Sequence, residues 1–330
     1  MARDFGFNRA TVATAVLLIG LALVPAFAAL FDNPFLVTMV NRALIFALAA
    51  VALDFIMGYG RMVSFGHAAF FGLGAYTVGI LSTHAAQDLP LIFGWTGTNE
   101  ALLAWLLAML LSGLYALIVG LISLRTSGVY FIMITLAFAQ LVFFAFVSLS
   151  QYGGEDGLAL WGRNTLAGIG LDHRVGFYYL CFGLLLAVWY LLHRLVRSRF
   201  GRVIQGSRQH ELRMRALGYN PFPYKLTAFV ISGALTGLAG ALLANNNEFV
   251  DPSLTSWMQS GNFLVIVLLG GLCSLVGPIY GALALLLMEE VLIAMTEHWQ
   301  IILGPVLILV VLFFRGGIFG VLSAGGGRHD

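Results

Sequence analysis

The polar groups that could do chemistry in this chain lie within or beside long apolar stretches. Glycine-dense sequence breaks two of these stretches, once at 57–81 and again at 268–287. Paired, glycine-broken segments in two halves of a membrane protein point to a transport pathway, and polar groups at membrane depth point the same way. The candidate residues of a translocation path are Ser64, Gly66, His67, Ser274, Glu289 and Glu290.

Helix packing is the competing interpretation for these residues. A histidine near the start of a membrane helix is more often a hydrogen-bonded packing residue than a proton relay. Small residues four positions apart, such as Gly233 and Gly237, let two helices approach closely. Glu289 and Glu290 are adjacent and point about 100° apart on a helix, so both cannot face one lumen squarely. The recurrence of the broken stretches favours an internal duplication.

Two further polar groups in apolar sequence have structural interpretations. Asp54 lies near the end of its stretch and could reach Arg61, which would make it a structural residue. Cys181 and Cys273 both fall in apolar sequence, and we expect them to be small buried hydrophobic residues.

No catalytic constellation is visible in the sequence. There is no H-E-x-x-H, no G-x-S-x-G and no Walker-type phosphate loop. No Cys/His cluster has the spacing of metal ligands. We therefore expect a non-enzymatic chain that binds no cofactor or metal itself. If it moves a solute with ATP, the hydrolysis must occur on another chain.

The composition places the chain in a membrane. Of its 330 residues, 60% are hydrophobic and only 10% are charged. The net charge of +2 suggests no nucleic-acid partner. We predict an all-α polytopic membrane protein that forms a single domain, 1–330, with about ten transmembrane or partly re-entrant helices. The predicted stretches are 11–30, 35–57, 63–83, 101–123, 128–149, 175–193, 226–244, 260–276, 279–297 and 300–315.

The positions of the cations predict the orientation of the chain. Eight of the 17 lysines and arginines lie between Arg194 and Lys225, and cytoplasmic loops carry an excess of these residues. We therefore expect segment 194–225, here called the basic segment, and both termini in the cytoplasm, and the loop 150–174 on the periplasmic side. Further cations support this at the chain ends (Arg3, Arg9, Arg315, Arg328), and three lie on the opposite side as exceptions (Arg42, Arg163, Arg174).

The basic segment has the features of folded structure. Glu211 and Arg215 are four residues apart, a favourable helix pair. Leu212 and Ala216 share a helix face at the same spacing. Gly218 is a helix C-terminal signal, and "NPFP" after it stops continuation of the helix. The segment could be a topology anchor, a patch that binds anionic membrane lipid, or a docking element for a cytoplasmic protein.

Four motifs together resemble a known family. They are "GYGRMVSFGHAAFFGLGAYTVGIL", "RTSGVYFIMITLAFAQLVFF", "GGEDGL" and "FGRVIQGSRQHELRMRALGYNPFPYKLTAFVISGALTGLAGALLA". The chain is similar, from about residue 41 to 322, to the LivM-type permeases of branched-chain amino acid ABC importers. The resemblance implies a bacterial inner-membrane subunit that forms a heterodimeric pore with a LivH-type permease. It also implies two ATPase subunits, which use ATP and Mg, and a periplasmic solute-binding protein.

The resemblance assigns the basic segment as the element that couples the pore to an ATPase. Gly201 and Arg202 match the "FGR" motif, and Glu211 with 216–218 matches the "E…ALGY" motif. Many relatives carry an alanine and an acid where this chain has Met214 and Arg215, which makes this segment more basic. The expected coupling residues are Gly201, Arg202, Arg208, Glu211, Leu212, Ala216, Leu217 and Gly218.

The substrate and one other class of function stay open at this stage. The resemblance favours a hydrophobic amino acid, with urea, short amides, and aromatic or organic acids as alternatives carried by similar importers. A stand-alone ion-coupled transporter or channel would instead use Glu289, Glu290 or His67 as an ion site. A membrane enzyme ranks lower, because no set of nucleophile, base and metal is visible.

Overall fold

The computed structural model describes residues 9–88, 90, 96–166, 169–171, 173–296, 298–313 and 316–323. Within them the chain is almost entirely helical, which confirms the predicted all-α class. The helices are α1 (Arg9–Leu30), α2 (Pro34–Gly60), α3 (His67–Gln87), α4 (Ala101–Ser123), α5 (Val129–Ser148), α6 (Arg174–Arg197), α7 (Arg199–Gln209), α8 (Glu211–Ala216), α9 (Pro221–Asn247), α10 (Trp257–Gly270), α11 (Gly277–Met295), α12 (Trp299–Phe313) and α13 (Gly317–Ser323).

Seven of the described helices are long and apolar enough to cross a membrane: α1, α2, α4, α5, α6, α9 and α11. Each of the ten predicted stretches contains a helix, but not all are full spans. The helix α10 has only 14 residues, about 21 Å at 1.5 Å per residue, and the bilayer core is about 30 Å thick. It is therefore a partial span. The short helix α13 was not predicted.

Helices α2, α3 and α9 form the centre of the bundle. The helix α9 contacts α2, α3 and α4. Most of α2 and α9 is buried, whereas α1 and α5 present mainly exposed apolar side chains. The polar and glycine-rich helix α3 is thus enclosed by other helices, which explains why it can carry a sequence that lipid would not favour.

Glycines set the distance between α3 and α9. A Cβ atom on Gly74 would overlap the backbone oxygen of Gly237, and one on Gly240 would overlap the backbone oxygen of Phe71. The tight packing predicted for Gly233 and Gly237 is confirmed, because added Cβ atoms there would collide with side chains of α4. Backbones that approach this closely are typical of small-residue interfaces in membranes.

The two glycine-broken stretches form two interrupted helix pairs that hold each other in place. Residues 61–66 join α2 to α3, and residues 271–276 join α10 to α11. From α10, the Ser260 hydroxyl accepts a hydrogen bond from Ala68 N (3.0 Å) and donates one to Phe65 O (2.7 Å). From α2, the Asp54 carboxylate accepts hydrogen bonds from two backbone N–H groups of the second connection. Each pair therefore supplies a side chain that orders the start of the other pair's second helix.

Asp54 is a structural residue, but its predicted partner is wrong. Its carboxylate accepts hydrogen bonds from Cys273 N at 3.0 Å and Leu275 N at 3.2 Å, and these two residues have positive φ angles of 64° and 50°. Arg61 begins the left-handed turn after α2 and its side chain is exposed. The buried carboxylate instead faces the connection 271–276 and stabilises its unusual backbone.

The polar loop between α5 and α6 contains short strands. The strand β1 (Leu158–Ala159) pairs antiparallel with β4 (Phe249–Val250), which follows α9. The strand β2 (Thr165–Leu166) pairs with β3 (Ile169–Gly170). This end of the bundle, opposite to α7 and α8, is called the strand end below. The terminal cations Arg3, Arg315 and Arg328, used to predict orientation, lie outside the described residues.

Candidate functional site

The basic segment folds into two helices, α7 and α8, at the end of the bundle called the basic end below. A sharp corner joins α6 to α7: Ser198 Oγ accepts a hydrogen bond from Gly201 N at 3.3 Å. A Cβ atom on Gly201 would overlap the backbone oxygen of Val196. Gly201 is therefore needed for the corner itself, whereas the Arg202 side chain is exposed.

Glu211 attaches α8 to α9. One carboxylate oxygen bonds to Arg215 at 2.8 Å, which confirms the predicted helix pair, and the other bonds to Lys225 at 2.6 Å. The hydrogen bond from Lys225 is the main cause that holds the pKa of Glu211 below its ordinary value of 4.5, although partial burial opposes it. The sequence did not predict Lys225 as a partner, because it lies on the next helix.

The residues after α8 make a defined turn. Gly218 has φ +86°, and Tyr219 N donates to Met214 O at 3.0 Å, so the predicted C-terminal signal is confirmed. The "NPFP" sequence does more than stop α8. Asn220 Oδ1 accepts a hydrogen bond from Phe222 N at 3.2 Å, and Pro221 is the first residue of α9. The return to the membrane is thus a capped helix start.

Four exposed apolar side chains lie on and directly after α8. Leu212 is 79% exposed and Leu217 is 66% exposed. Ala216 and Tyr219 beside them are also exposed. We call these four residues the α8 surface. The Glu211–Lys225 ion pair connects α8 to α9, whereas the Glu211–Arg215 pair lies within α8.

Arg208 links α7 to the connection between α10 and α11. Its guanidinium Nη1 lies 2.9 Å from Cys273 Sγ, and Tyr59 donates a hydrogen bond to Cys273 O at 2.6 Å. Cys273 is only half-buried, so the prediction of a buried hydrophobic residue is wrong for it; the helix ends at Gly270 and places it in the connection. Cys181 is buried as predicted. A movement of α7 can therefore reach the interrupted helices directly.

Four predicted path residues lie at the two helix interruptions. Ser64 Oγ accepts from Gly66 N at 3.1 Å, and Ser274 Oγ accepts from Gly277 N at 2.7 Å. His67 is buried, with Nε2 2.9 Å from Ser232 Oγ. Because the Ser232 hydroxyl donates to Ala52 O, His67 Nε2 must be the donor. This is the geometry of a packing histidine, and a role in translocation stays a prediction.

Glu289 and Glu290, the other two predicted path residues, have different surroundings, as expected for adjacent positions on a helix. Glu289 lines a pocket between α2, α10, α11 and α12, together with Arg42. Glu290 is not among the residues that line it. None of the four residues at the interruptions lines this pocket either. The structure therefore does not bring the six predicted path residues together.

The three arginines that broke the charge rule each have a defined environment. At the strand end, Arg163 Nε bonds to Glu248 at 3.1 Å, and its guanidinium lies 5.3 Å from the centre of the Phe177 ring. Arg174 lines a small cleft with Arg163. Arg42 lies in the pocket with Glu289. The sequence analysis did not predict these contacts, although for Arg42 its position inside an apolar stretch was an available signal.

Replacing Asp54 by alanine should destabilise the protein. Two buried backbone N–H groups would lose their acceptor, at about 1–3 kcal/mol for each. Thermal unfolding of the purified protein in detergent should show a lower midpoint, and Asp54→Asn, which keeps one acceptor oxygen, should fall in between. An alanine variant as stable as the wild type would contradict this role.

Replacing Glu211 by glutamine should loosen α8. Since the pKa of Glu211 is lowered in the folded protein, its contribution is complete above pH 4.5 and is lost as the pH falls through the lowered pKa. A spin label at position 217 should be more mobile in Glu211→Gln at neutral pH, and in the wild type only at acidic pH. Arg213→Gln is the control. Equal label mobility in Glu211→Gln and wild type would exclude the anchoring role.

Comparison with known proteins agrees with this architecture. The profile of a family described as "Branched-chain amino acid transport system / permease component" matches residues 35–312. Two similar proteins are each described as a high-affinity branched-chain amino acid transport system permease protein LivM, from Salmonella typhimurium and Escherichia coli. Each is 28% identical over 307 residues, which cover 86% of this chain and 69% of the relative. No solved structure matches. The chain belongs to this permease family, and it is a multi-pass permease subunit of an ABC importer in the bacterial inner membrane.

Proposed function

We propose that this chain forms half of a heterodimeric pore that imports hydrophobic, branched-chain amino acids. Its partners in this proposal are a second, LivH-type permease, two ATP-binding subunits and a periplasmic solute-binding protein. The basic end and both termini lie in the cytoplasm, and the strand end lies in the periplasm. ATP and Mg are used by the partner subunits, and this chain binds no cofactor.

The α8 surface is the observation that carries the proposal. Exposed leucines on a short, rigid helix suit a groove on another protein. A purely topological anchor would need the charges alone, so the exposed leucines favour a binding role for the basic segment. A basic helix with an apolar face could also lie on lipid, but membership of an ABC importer family favours docking on an ATP-binding subunit.

The mechanism follows from the contacts of α7 and α8. When ATP closes the two ATPase subunits, α7 and α8 move as one lever, because Glu211 and the α6–α7 corner leave little freedom between them and the bundle. The movement passes to α6 and α9, which flank the lever, and through Arg208 to the connection 271–276. A lever of this kind can favour an outward-open or an inward-open pore only if its contacts differ between the two states.

The substrate class rests on the relatives. Both are described as carriers of branched-chain amino acids, so a hydrophobic amino acid is the first choice for this chain. Urea, short amides, and aromatic or organic acids are the alternatives, because the delivery protein, rather than the permease, sets most of the specificity.

Purification from the native membrane tests the assembly. The tagged chain should bring down two ATP-binding subunits and a second permease. Proteoliposomes with the delivery protein should take up leucine only when ATP is present on the cytoplasmic face of the importer. Uptake that is driven by an ion gradient and needs no ATP would overturn the proposal and favour a secondary transporter.

A further inference from the structure

A small pocket with opposite charges opens between α2, α10, α11 and α12. Its polar lining consists of Arg42, Gln259, Asn262 and Glu289, and apolar side chains, among them Leu285, complete the wall. Its volume is about 60 Å³. Membership of the permease family does not by itself give this pocket a role.

The two charges lie well inside their helices. Arg42 is eight residues beyond Pro34, the first residue of α2, and Glu289 is six residues before Met295, the last residue of α11. These positions are about 12 Å and about 9 Å from the helix ends. Charged side chains at membrane depth are costly, so they mark functional sites by default.

The charges of the pocket have no ion-pair partners in the described part of the chain. The ion pairs found there are Arg163–Glu248 and those of Glu211 with Arg215 and Lys225. The Arg42 guanidinium lies 5.5 Å from the centre of the Phe46 ring. Arg42 and Glu289 attract each other across the pocket but do not form a direct ion pair, so both charged groups can contact a ligand.

A buried donor in the pocket also lacks an acceptor. Gln259 Nε2 is buried and has no hydrogen-bond partner among the described residues. An unsatisfied buried donor is costly, and this one belongs to a residue of the polar lining, so it is available to an acceptor bound in the pocket. Gln259 is in the first turn of α10, where the partial positive charge of the helix N-terminus also favours an anion.

We propose that this pocket is the permease's own recognition site for the zwitterion of an amino acid with an apolar side chain. Arg42 and Gln259 bind the carboxylate, Glu289 binds the ammonium group, and the apolar wall with Leu285 contacts the side chain. The proposal rests on the proposed function and adds the site. Urea carries no charges to match the pair, and a dicarboxylate would meet Glu289 with a like charge.

The pocket is incomplete within one chain. A volume of about 60 Å³ is well below the roughly 300–1,000 Å³ of sites that enclose a whole small molecule. Arg42 and Asn262 are exposed on its open side. The second permease therefore has to supply the remaining wall, which places this face of α2 and α10 at the pore between the two chains.

Transport by the complete importer in proteoliposomes tests the proposal. With saturating leucine-loaded delivery protein, Arg42→Gln and Glu289→Gln should each lower leucine uptake at least about tenfold, the effect of losing a charge-assisted hydrogen bond worth about 1.4 kcal/mol or more. The stimulated ATP hydrolysis should continue, since the lever is intact. Glu290→Gln, next to the site but not lining it, is the matched control and should stay within about twofold.

Alkylation of the new thiol in the Asn262→Cys variant gives a second measurement that needs no transport. Leucine should slow this alkylation in the assembled permease pair, urea should not, and Arg42→Gln should abolish the protection. If the wild-type importer transports leucine but both site variants transport normally and leucine gives no protection, the pocket proposal is wrong while the proposed function stands. If the wild type transports urea and no amino acid, the substrate of the proposed function is wrong.

Discussion

Replacing Gly240 by leucine is expected to prevent the protein from folding. A Cβ atom at this position overlaps the backbone oxygen of Phe71, so α9 could not stay packed on α3. Backbone atoms cannot move aside as a flexible side chain can, and overpacking of cores usually costs about 1–3 kcal/mol even for small groups. Size-exclusion chromatography in detergent should show aggregate in place of a monodisperse peak.

Gly183 on α6 offers a matched control for this prediction. A Cβ atom there meets nothing within 4 Å, so Gly183→Leu should give a monodisperse protein. Gly240→Ala already introduces the overlapping Cβ atom, so it should also unfold at a lower temperature than the wild type. A well-folded Gly240→Leu variant would mean that α3 and α9 are not in the close contact described here.

Replacing Leu212 and Leu217 together by alanine should abolish ATP-driven uptake and leave the permease folded. These side chains are 79% and 66% exposed, so their loss costs little in the isolated chain. In the assembled importer they would be buried in an ATPase groove, and deleting two such apolar anchors should lower uptake by more than about tenfold. The ATPase activity of the complex should no longer respond to the loaded delivery protein.

Leu149 provides the control for the second prediction. It is 41% exposed and lies just after α5, away from the basic segment. Leu149→Ala should transport normally. Helix-breaking glycines at 212 and 216 should be as harmful as the alanine pair, because the lever must be rigid. If the variant with alanine at both Leu212 and Leu217 still couples ATP hydrolysis to uptake, the α8 surface has no part in the mechanism.

Local sequence signals predicted much of the fold and of the coupling segment. Apolar length predicted where helices occur, and the spacing of Glu211 and Arg215 and the position of Gly218 predicted the structure of α8. These features depend on residues within one or two turns of each other. The coupling role itself came from the resemblance to a family and stays a proposal.

Contacts between distant residues could not be predicted in the same way. Asp54 caps backbone groups about 220 residues away, and nothing near it in sequence indicates this. The early end of α10 at Gly270 depends on how the connection 271–276 folds against α2. Arg42 was recognised only as an exception to the charge rule, because its relation to Glu289 exists only once α2 and α11 are packed.

Position-specific crosslinking tests most directly whether the ATPase acts on this chain through α8. A photoreactive residue at position 212 should form a covalent product with an ATP-binding subunit in the assembled importer, and the same residue at position 149 should not. A product at 212 with lipid alone, in a complex that hydrolyses ATP and transports its solute, would contradict the account.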